Sequence, residues 1–272
     1  MSEFAGRGVI VTGAGRGIGR GIAEAFAAAG AKVMIGARTL SYGEAARDAI
    51  RDAGGTAEVE PFDAKSHDSC RDLIAATLAA FGRIDVVIHC AAEIPHGGLG
   101  KVSDEALEAG LASIAKAAWW LLDAARPQLS ATPTGGRFIA IGSVNGTFST
   151  VPNMTAYGMA KAALDAFVRG AAGDVVRENI TVNAINPGLV ASDNALRVLG
   201  EDGLAAYGAT IPVGRAGTPA DIAHACFYFA SERAGYCTGA SLKLDGGASV
   251  AARGEGGDKV LQERLKAQAE QH

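Results

Sequence analysis

Short apolar runs alternate with longer stretches of helical periodicity along almost the whole chain. The runs "GVIVT", "AKVMIG", "AEVEPF", "DVVIHC", "GRFIAIGS", "ITVNAINP" and "ASLKLD" read as strands. Between them, "IGRGIAEAFAAAG", "SYGEAARDAIRDAG", "SHDSCRDLIAATLAAFG", "SDEALEAGLASIAKAAWWLLDAARP", "TAYGMAKAALDAFVRGAAGDVVREN" and "TPADIAHACFYFASE" read as helices. Several of the strands show little polar alternation, as expected when helices cover both faces of a sheet. Such alternation predicts an α/β fold, a doubly wound parallel sheet of about seven strands with helices on both faces. No shift in composition divides residues 1–248, which read as one domain. Two segments break the rhythm. Residues 191–217, between a strand and the final helix, predict a lid. Residues 249–272 predict a Gly-rich hinge and a charged helix with Val260, Leu261 and Leu265 on one side. That helix reads equally as a surface element or as a subunit contact.

Composition narrows the function classes. The 272 residues are 49% hydrophobic and only 6% aromatic, with 37 glycines, which suits close helix–sheet packing. A net charge of −4 offers no basic footprint for nucleic acid. No apolar run approaches the roughly 20 residues that span a bilayer; "AAWWLL" ends at Asp123. A strand pattern already under way near residue 7 leaves no room for a leader peptide. Cys70, Cys90, Cys226 and Cys237 lack CxxC or metal-ligand spacing and read as free thiols. The expectation is a cytoplasmic protein without a metal site, acting on a small molecule.

Candidate chemistry begins at "VIVTGAGRGIGRGIAEAF". Gly13, Gly17 and Gly19 directly follow the first strand and open the first helix. Glycines let the backbone turn tightly and approach a pyrophosphate, and the helix N-terminus offers unpaired N–H groups. A glycine turn by itself also fits plain βα geometry; its place after strand one favours a dinucleotide site. An acid ending the second strand would hold adenosine ribose hydroxyls. Here that position is Ala37, followed by Arg38, with Arg16 inside the turn. Guanidinium groups pair bidentately with phosphate, which favours NADP(H) over NAD(H).

In "MTAYGMAKAAL", Tyr157 and Lys161 stand four apart and so share one helix face. A phenol titrating near 10 must shift by about three units, about 4 kcal/mol, to exchange protons at neutral pH. A nearby ammonium and the positive ring of an oxidised nicotinamide both favour the phenolate. Tyr157 is then the acid that protonates a carbonyl oxygen, or the base in reverse. Ser143, ending "GRFIAIGS", would hydrogen-bond the same oxygen.

Taken together, Thr12-Gly13-Ala14-Gly15-Arg16-Gly17-Ile18-Gly19, Ser143 and Tyr157-x-x-x-Lys161 resemble the short-chain dehydrogenase/reductase family over about residues 4–248. The likeness is greatest to the branch containing 3-oxoacyl-carrier-protein reductases and related alcohol dehydrogenases. It implies a Rossmann-type fold, a homotetramer or dimer, and a ketone or secondary alcohol as substrate. It also implies that Lys161 holds the nicotinamide ribose and that Gly15 and Ile18 belong to the cofactor turn. Asp63, with Ala64, matches the family's adenine contact. "NPGLVAS" matches PGxxxT, placing Pro187, Gly188, Val190 and Ser192 at the cofactor.

Three departures stand out. The Ser143–Tyr157 spacing is one residue longer than usual. The family's NNAG appears as His89-Cys90-Ala91-Ala92, which alters a contact that Cys90, Ala91 and Ala92 would make to the cofactor. Ser113 stands where an Asn usually holds a water connecting the active-site Lys to solvent, so the resemblance implies an altered proton relay. By family position Glu93, Val144, Asn145, Met154 and Leu189 face the substrate, with the lid at 196–204 and His96 near the rim. Trp119 and Trp120 lie on the helix that usually meets another subunit. The departures leave room for an alternative, a non-catalytic cofactor-binding sensor or scaffold on the same fold.

Overall fold

A computed structural model describes residues 3–250; the tail helix expected around Val260, Leu261 and Leu265 lies outside them. Seven strands form one all-parallel sheet in the order β3-β2-β1-β4-β5-β6-β7. They are β1 (Gly8–Thr12), β2 (Lys32–Ala37), β3 (Thr56–Pro61), β4 (Val86–His89), β5 (Gly136–Ile141), β6 (Ile180–Pro187) and β7 (Ser241–Leu244). Side chains alternate across the sheet, so each strand feeds two cores. Ile10, Val87, Phe138 and Ala140 join one core; Val9, Val11, Ile88, Ile139 and Ile141 join the other.

The first core is covered by α3 (His67–Phe81), α5 (Ala117–Ser130) and α7 (Thr155–Val175), through Leu73, Leu121 and Leu164. The second is covered by α1 (Gly17–Ala28), α2 (Leu40–Asp52) and α9 (Pro219–Ala230), through Ile22, Phe26, Ile50 and Phe229. Local signals fix the ends. Ser66 caps α3 by accepting the Ser69 N–H at 3.2 Å, and Gly82 closes it in the left-handed region at φ 73°. Thr218 and Asp221 form a reciprocal capping box on α9, with Pro219 in its first turn.

The long helix expected before Pro127 is present without a break, but it is not uniform. It consists of α4 (Asp104–Leu111), one wide π turn at Ala112–Lys116, and α5. Residues 191–217 contain α8 (Asp193–Ala209), which breaks at Gly200, where φ is 69°. Between Ser143 and Tyr157 there is only a single turn, α6 (Val144–Thr147). Of the two tryptophans, Trp119 is 60% exposed, whereas Trp120 stacks on His67 at 5.5 Å between ring centroids. No helix among the described residues is long and apolar enough to cross a membrane, and none of their His, Cys, Asp and Glu clusters could hold a metal.

Candidate active site

The residues singled out in the sequence gather at the carboxyl edge of the sheet. Gly13 follows β1, Arg38 follows β2, Asp63 follows β3, Cys90 follows β4, Ser143 follows β5, and Pro187 ends β6. Strand order reverses direction between β1 and β4, and ligands of doubly wound folds bind in the crevice that this reversal opens.

The turn after β1 is shaped for close approach. Gly13 has φ 68°, and a Cβ there would lie 2.8 Å from the Cα of Ala91; at Gly19 it would lie 2.4 Å from the Gly13 carbonyl oxygen. Ala14 is buried, and Ile18 packs against the core beneath. Helix α1 has no side-chain cap and no acid in its first turn, so its N–H groups face outward. One of them shows what they attract: Gly17 N–H donates to the Asp193 carboxylate, 2.8 Å away, from the start of α8. Ser192 lies against Gly17 and caps α8 through the Ala195 N–H at 3.4 Å. An anion-accepting helix terminus under a glycine cradle fits a dinucleotide diphosphate.

Ser143, Tyr157 and Lys161 converge beside this cradle. The Ser143 N–H donates to Asn186 Oδ1 at 2.9 Å, and Asn186 Nδ2 donates to Ser241 Oγ at 2.8 Å. The Ser241 hydroxyl in turn donates to Asp165 on α7, whose carboxylate also takes Arg169. The backbone of Ser143 is thus tied to the helix that carries Tyr157. A Cβ on Gly142 would come within 2.0 Å of Asn186 Oδ1, so this tether demands glycine.

Lys161 is buried; its Nζ donates to the Ile141 carbonyl at 2.7 Å and stands 5.7 Å from the Tyr157 ring centroid. Burial pushes the Lys161 ammonium down to about 8, with Cys90 acting in the other direction. Burial pushes the Tyr157 phenol up to about 12, with the Ser143 hydroxyl opposing it and Cys90 reinforcing it. Among the protein groups, desolvation of the phenol is thus the largest influence on Tyr157. Cys90 itself is held as a neutral thiol, its pKa pushed up to about 11 by burial.

Beneath the cluster lies a chain that the sequence reading missed. His89 is buried, with Nδ1 2.9 Å from Thr12 Oγ1 and Nε2 3.1 Å from the Ile114 carbonyl in the π turn. A carbonyl only accepts, so Nε2 carries the proton and Thr12 donates to Nδ1. The Thr12 oxygen then accepts the N–H groups of Cys90 and Ala91, each at 3.1 Å. The signal was present as the His in His89-Cys90-Ala91-Ala92. Ala92, next in the chain, is exposed.

Ser113, expected in a proton relay, sends its hydroxyl to backbone. It accepts the Glu93 N–H at 2.9 Å and donates to the Gly110 carbonyl at 3.4 Å. The Asn145 amide is also committed to backbone, accepting Val151 N–H at 3.1 Å and donating to the Met154 carbonyl at 3.3 Å. Val144 opens α6 and is half-buried. Glu93 pairs with Arg38 and Lys65. Asp63 accepts the Lys65 N–H at 3.0 Å beside buried Ala64, and Arg16 lies over the Tyr42 ring at 5.7 Å. Beyond β6, Gly188 N–H donates to the Leu244 carbonyl at 3.0 Å, and the Leu189 carbonyl accepts Gly217 N–H at 2.9 Å. Val190 is buried.

A family model described as enoyl-(acyl carrier protein) reductase matches residues 13–249. The chain is 35% identical over 249 residues to the 3-oxoacyl-[acyl-carrier-protein] reductase FabG of Escherichia coli, covering 90% of this chain and 98% of that one. It belongs to the short-chain dehydrogenase/reductase family. Among solved structures, a protein assigned as an NAD(P)-dependent gluconate 5-dehydrogenase from Beutenbergia cavernae, with NADP at low occupancy, superposes with TM-score 0.82 at 33% identity, covering 91% and 98% of the two chains. A 7α-hydroxysteroid dehydrogenase complexed with NADH and 7-oxo glycochenodeoxycholic acid gives TM-score 0.84 at 27% identity, covering 91% and 96%. As a short-chain dehydrogenase/reductase the chain is an NAD(P)-dependent oxidoreductase. These two neighbours carry different nicotinamide nucleotides.

Proposed function

We propose that this chain is an NADP(H)-dependent carbonyl reductase or alcohol dehydrogenase, interconverting a ketone and a secondary alcohol with Tyr157 as the acid–base group. The observation that carries the reading is the convergence of Ser143, Tyr157 and Lys161 beside an anion-accepting glycine turn. Bound in that cradle, the nicotinamide would supply or accept the hydride. Gly13, Gly15, Gly17 and Gly19 would admit its diphosphate, with Ser192 above them, while Lys161 would hold the ribose. Ser143 would donate to the substrate oxygen as charge develops on it. Tyr157 would give its proton in the direction of reduction, and because burial makes the phenol a weaker acid, that step calls on positive charge close to it. Its recovery as a base in the reverse direction calls on positive charge close to the phenol.

The preference for NADP(H) rests on Ala37, where no acid greets the ribose, and on the cations Arg38, Lys65 and Arg16 around the same end of the crevice. A homo-oligomer is supported by Trp119, a large apolar surface left 60% exposed on α5. Consumption of NADPH and NADH across ketones, ketoesters, quinones and sugars tests the whole reading. NADPH is expected to be consumed in preference, with Tyr157→Phe losing at least about 100-fold in turnover. Tight NADPH binding with silence throughout the panel would favour the sensor reading instead.

A further inference from the structure

Glu93 joins two cations that belong to different strands. One of its carboxylate oxygens, Oε2, lies 3.1 Å from Arg38 Nη1 and 3.2 Å from Lys65 Nζ. Arg38 follows β2, Lys65 lies beyond β3, and Glu93 lies beyond β4. Strand β1 runs between β2 and β4, so the ion pair spans two inter-strand spacings, about 10 Å, over the end of the strand that feeds the glycine turn. The Glu93 backbone is fixed there by the Ser113 hydroxyl at 2.9 Å. Both neighbouring cations are accessible, with side chains 65% and 37% exposed. The charges around this end are Arg38, Lys65 and Arg16, against Glu93 and Asp63.

We propose that Glu93 is a built-in competitor for the phosphate of a 2′-phosphorylated adenine nucleotide, and so sets how strongly this chain prefers such nucleotides. The proposal rests on the NADP(H) reading and deepens it. An adenosine 2′-phosphate recruits the guanidinium at the end of β2. That guanidinium is already engaged by a carboxylate reaching from the opposite side of the crevice. Exposed ion pairs of this kind are weak, so the nucleotide displaces it. The displaced carboxylate stays beside the incoming phosphate, and like charges repel. A nucleotide with a free 2′-hydroxyl meets neither effect. Glu93 therefore weakens 2′-phosphate binding selectively, and Ser113 serves as its positioning residue.

The test is calorimetric titration of the full chain with 2′,5′-ADP and with 5′-AMP, which differ only in the 2′-phosphate, for the wild type, Glu93→Gln and Arg38→Gln. The wild type is expected to bind 2′,5′-ADP more tightly than 5′-AMP. Glu93→Gln should widen that ratio by about two- to fivefold, through 2′,5′-ADP alone, and salt should shrink the gain. Arg38→Gln should collapse the ratio. A wild-type preference left unchanged by Glu93→Gln would overturn the competitor while sparing the NADP(H) reading. A ratio at or below one in both the wild type and Glu93→Gln would overturn both. Loss of 5′-AMP affinity in Glu93→Gln would overturn the competitor too, showing the carboxylate to be a ribose ligand.

Discussion

His89 shows how a single buried side chain fixes the protonation of its surroundings. Its Nδ1 accepts from a threonine whose oxygen already accepts two backbone N–H groups, so a proton added at Nδ1 would face an oxygen with no capacity left. Burial, helped by Lys161, pushes the imidazole down to about 4. Its folded pKa lies below the unfolded value of 6.5, so the unfolded chain takes up the proton first. The neutral imidazole thus contributes stability above pH 6.5 that drains away as pH falls towards 4. His89→Asn should remove that component. Urea unfolding at pH 7 and pH 4.5 should show a stability difference about 2 kcal/mol smaller in the variant. An unchanged difference would mean that His89 is not held neutral. The sequence marked this position as unusual but gave no partner for it, because Thr12 and Ile114 come from distant parts of the chain.

Among the elements, strands were the most legible part of the sequence, since unbroken apolar runs of five or six residues have few other fates. The shared helix of Tyr157 and Lys161 was legible too, since a four-residue spacing is a local property. The π turn was not: widening one turn leaves the polar–apolar rhythm of Ala112–Lys116 almost unchanged, yet it redirects the Ile114 carbonyl to His89. The Arg38–Glu93–Lys65 pairing was hidden for another reason, because it depends on strand order. The segment between Ser143 and Tyr157 holds a turn with a strict requirement. Gly146 has φ 94°, and a Cβ there would lie 2.0 Å from the Gly158 carbonyl in the first turns of α7. Gly146→Ala should therefore cost about 2–4 kcal/mol, through backbone strain and a clash that no rotamer relieves. Thermal melting would read the loss, and turnover should fall with it, because the turn links Ser143 to α7. A variant that melts with the wild type would show the turn to be pliant.

At the scale of the molecule, the two edges of the sheet do different work. The carboxyl edge holds the crevice. The amino edge is closed by Asp85, which is 1% exposed and accepts Gly8 N–H and Arg83 Nε at 2.8 Å each. Five residues of β1 put about 16 Å between them. Asp85→Ala strands a buried N–H and should cost about 2 kcal/mol, which in a chain this long lowers the melting temperature by about 3–4 °C. The dissociation constant for NADPH should not move. A parallel loss of affinity would show that strain travels the length of the sheet.

The break at Gly200 and the thin anchorage of α8 carry a different kind of consequence. Among the described residues of that helix only Leu204 and Gly208 are buried, while Leu196, Val198 and Leu199 are 38–60% exposed. Nothing in the sheet depends on the identity of the remaining positions. A lineage could rewrite this stretch, lengthen it or exchange it for another without disturbing Ser143, Tyr157 or Lys161. Selection for new substrates would then act on a helix of which folding holds little beyond Asp193, Leu204 and Gly208, and such proteins would diversify in taste long before they diversified in chemistry.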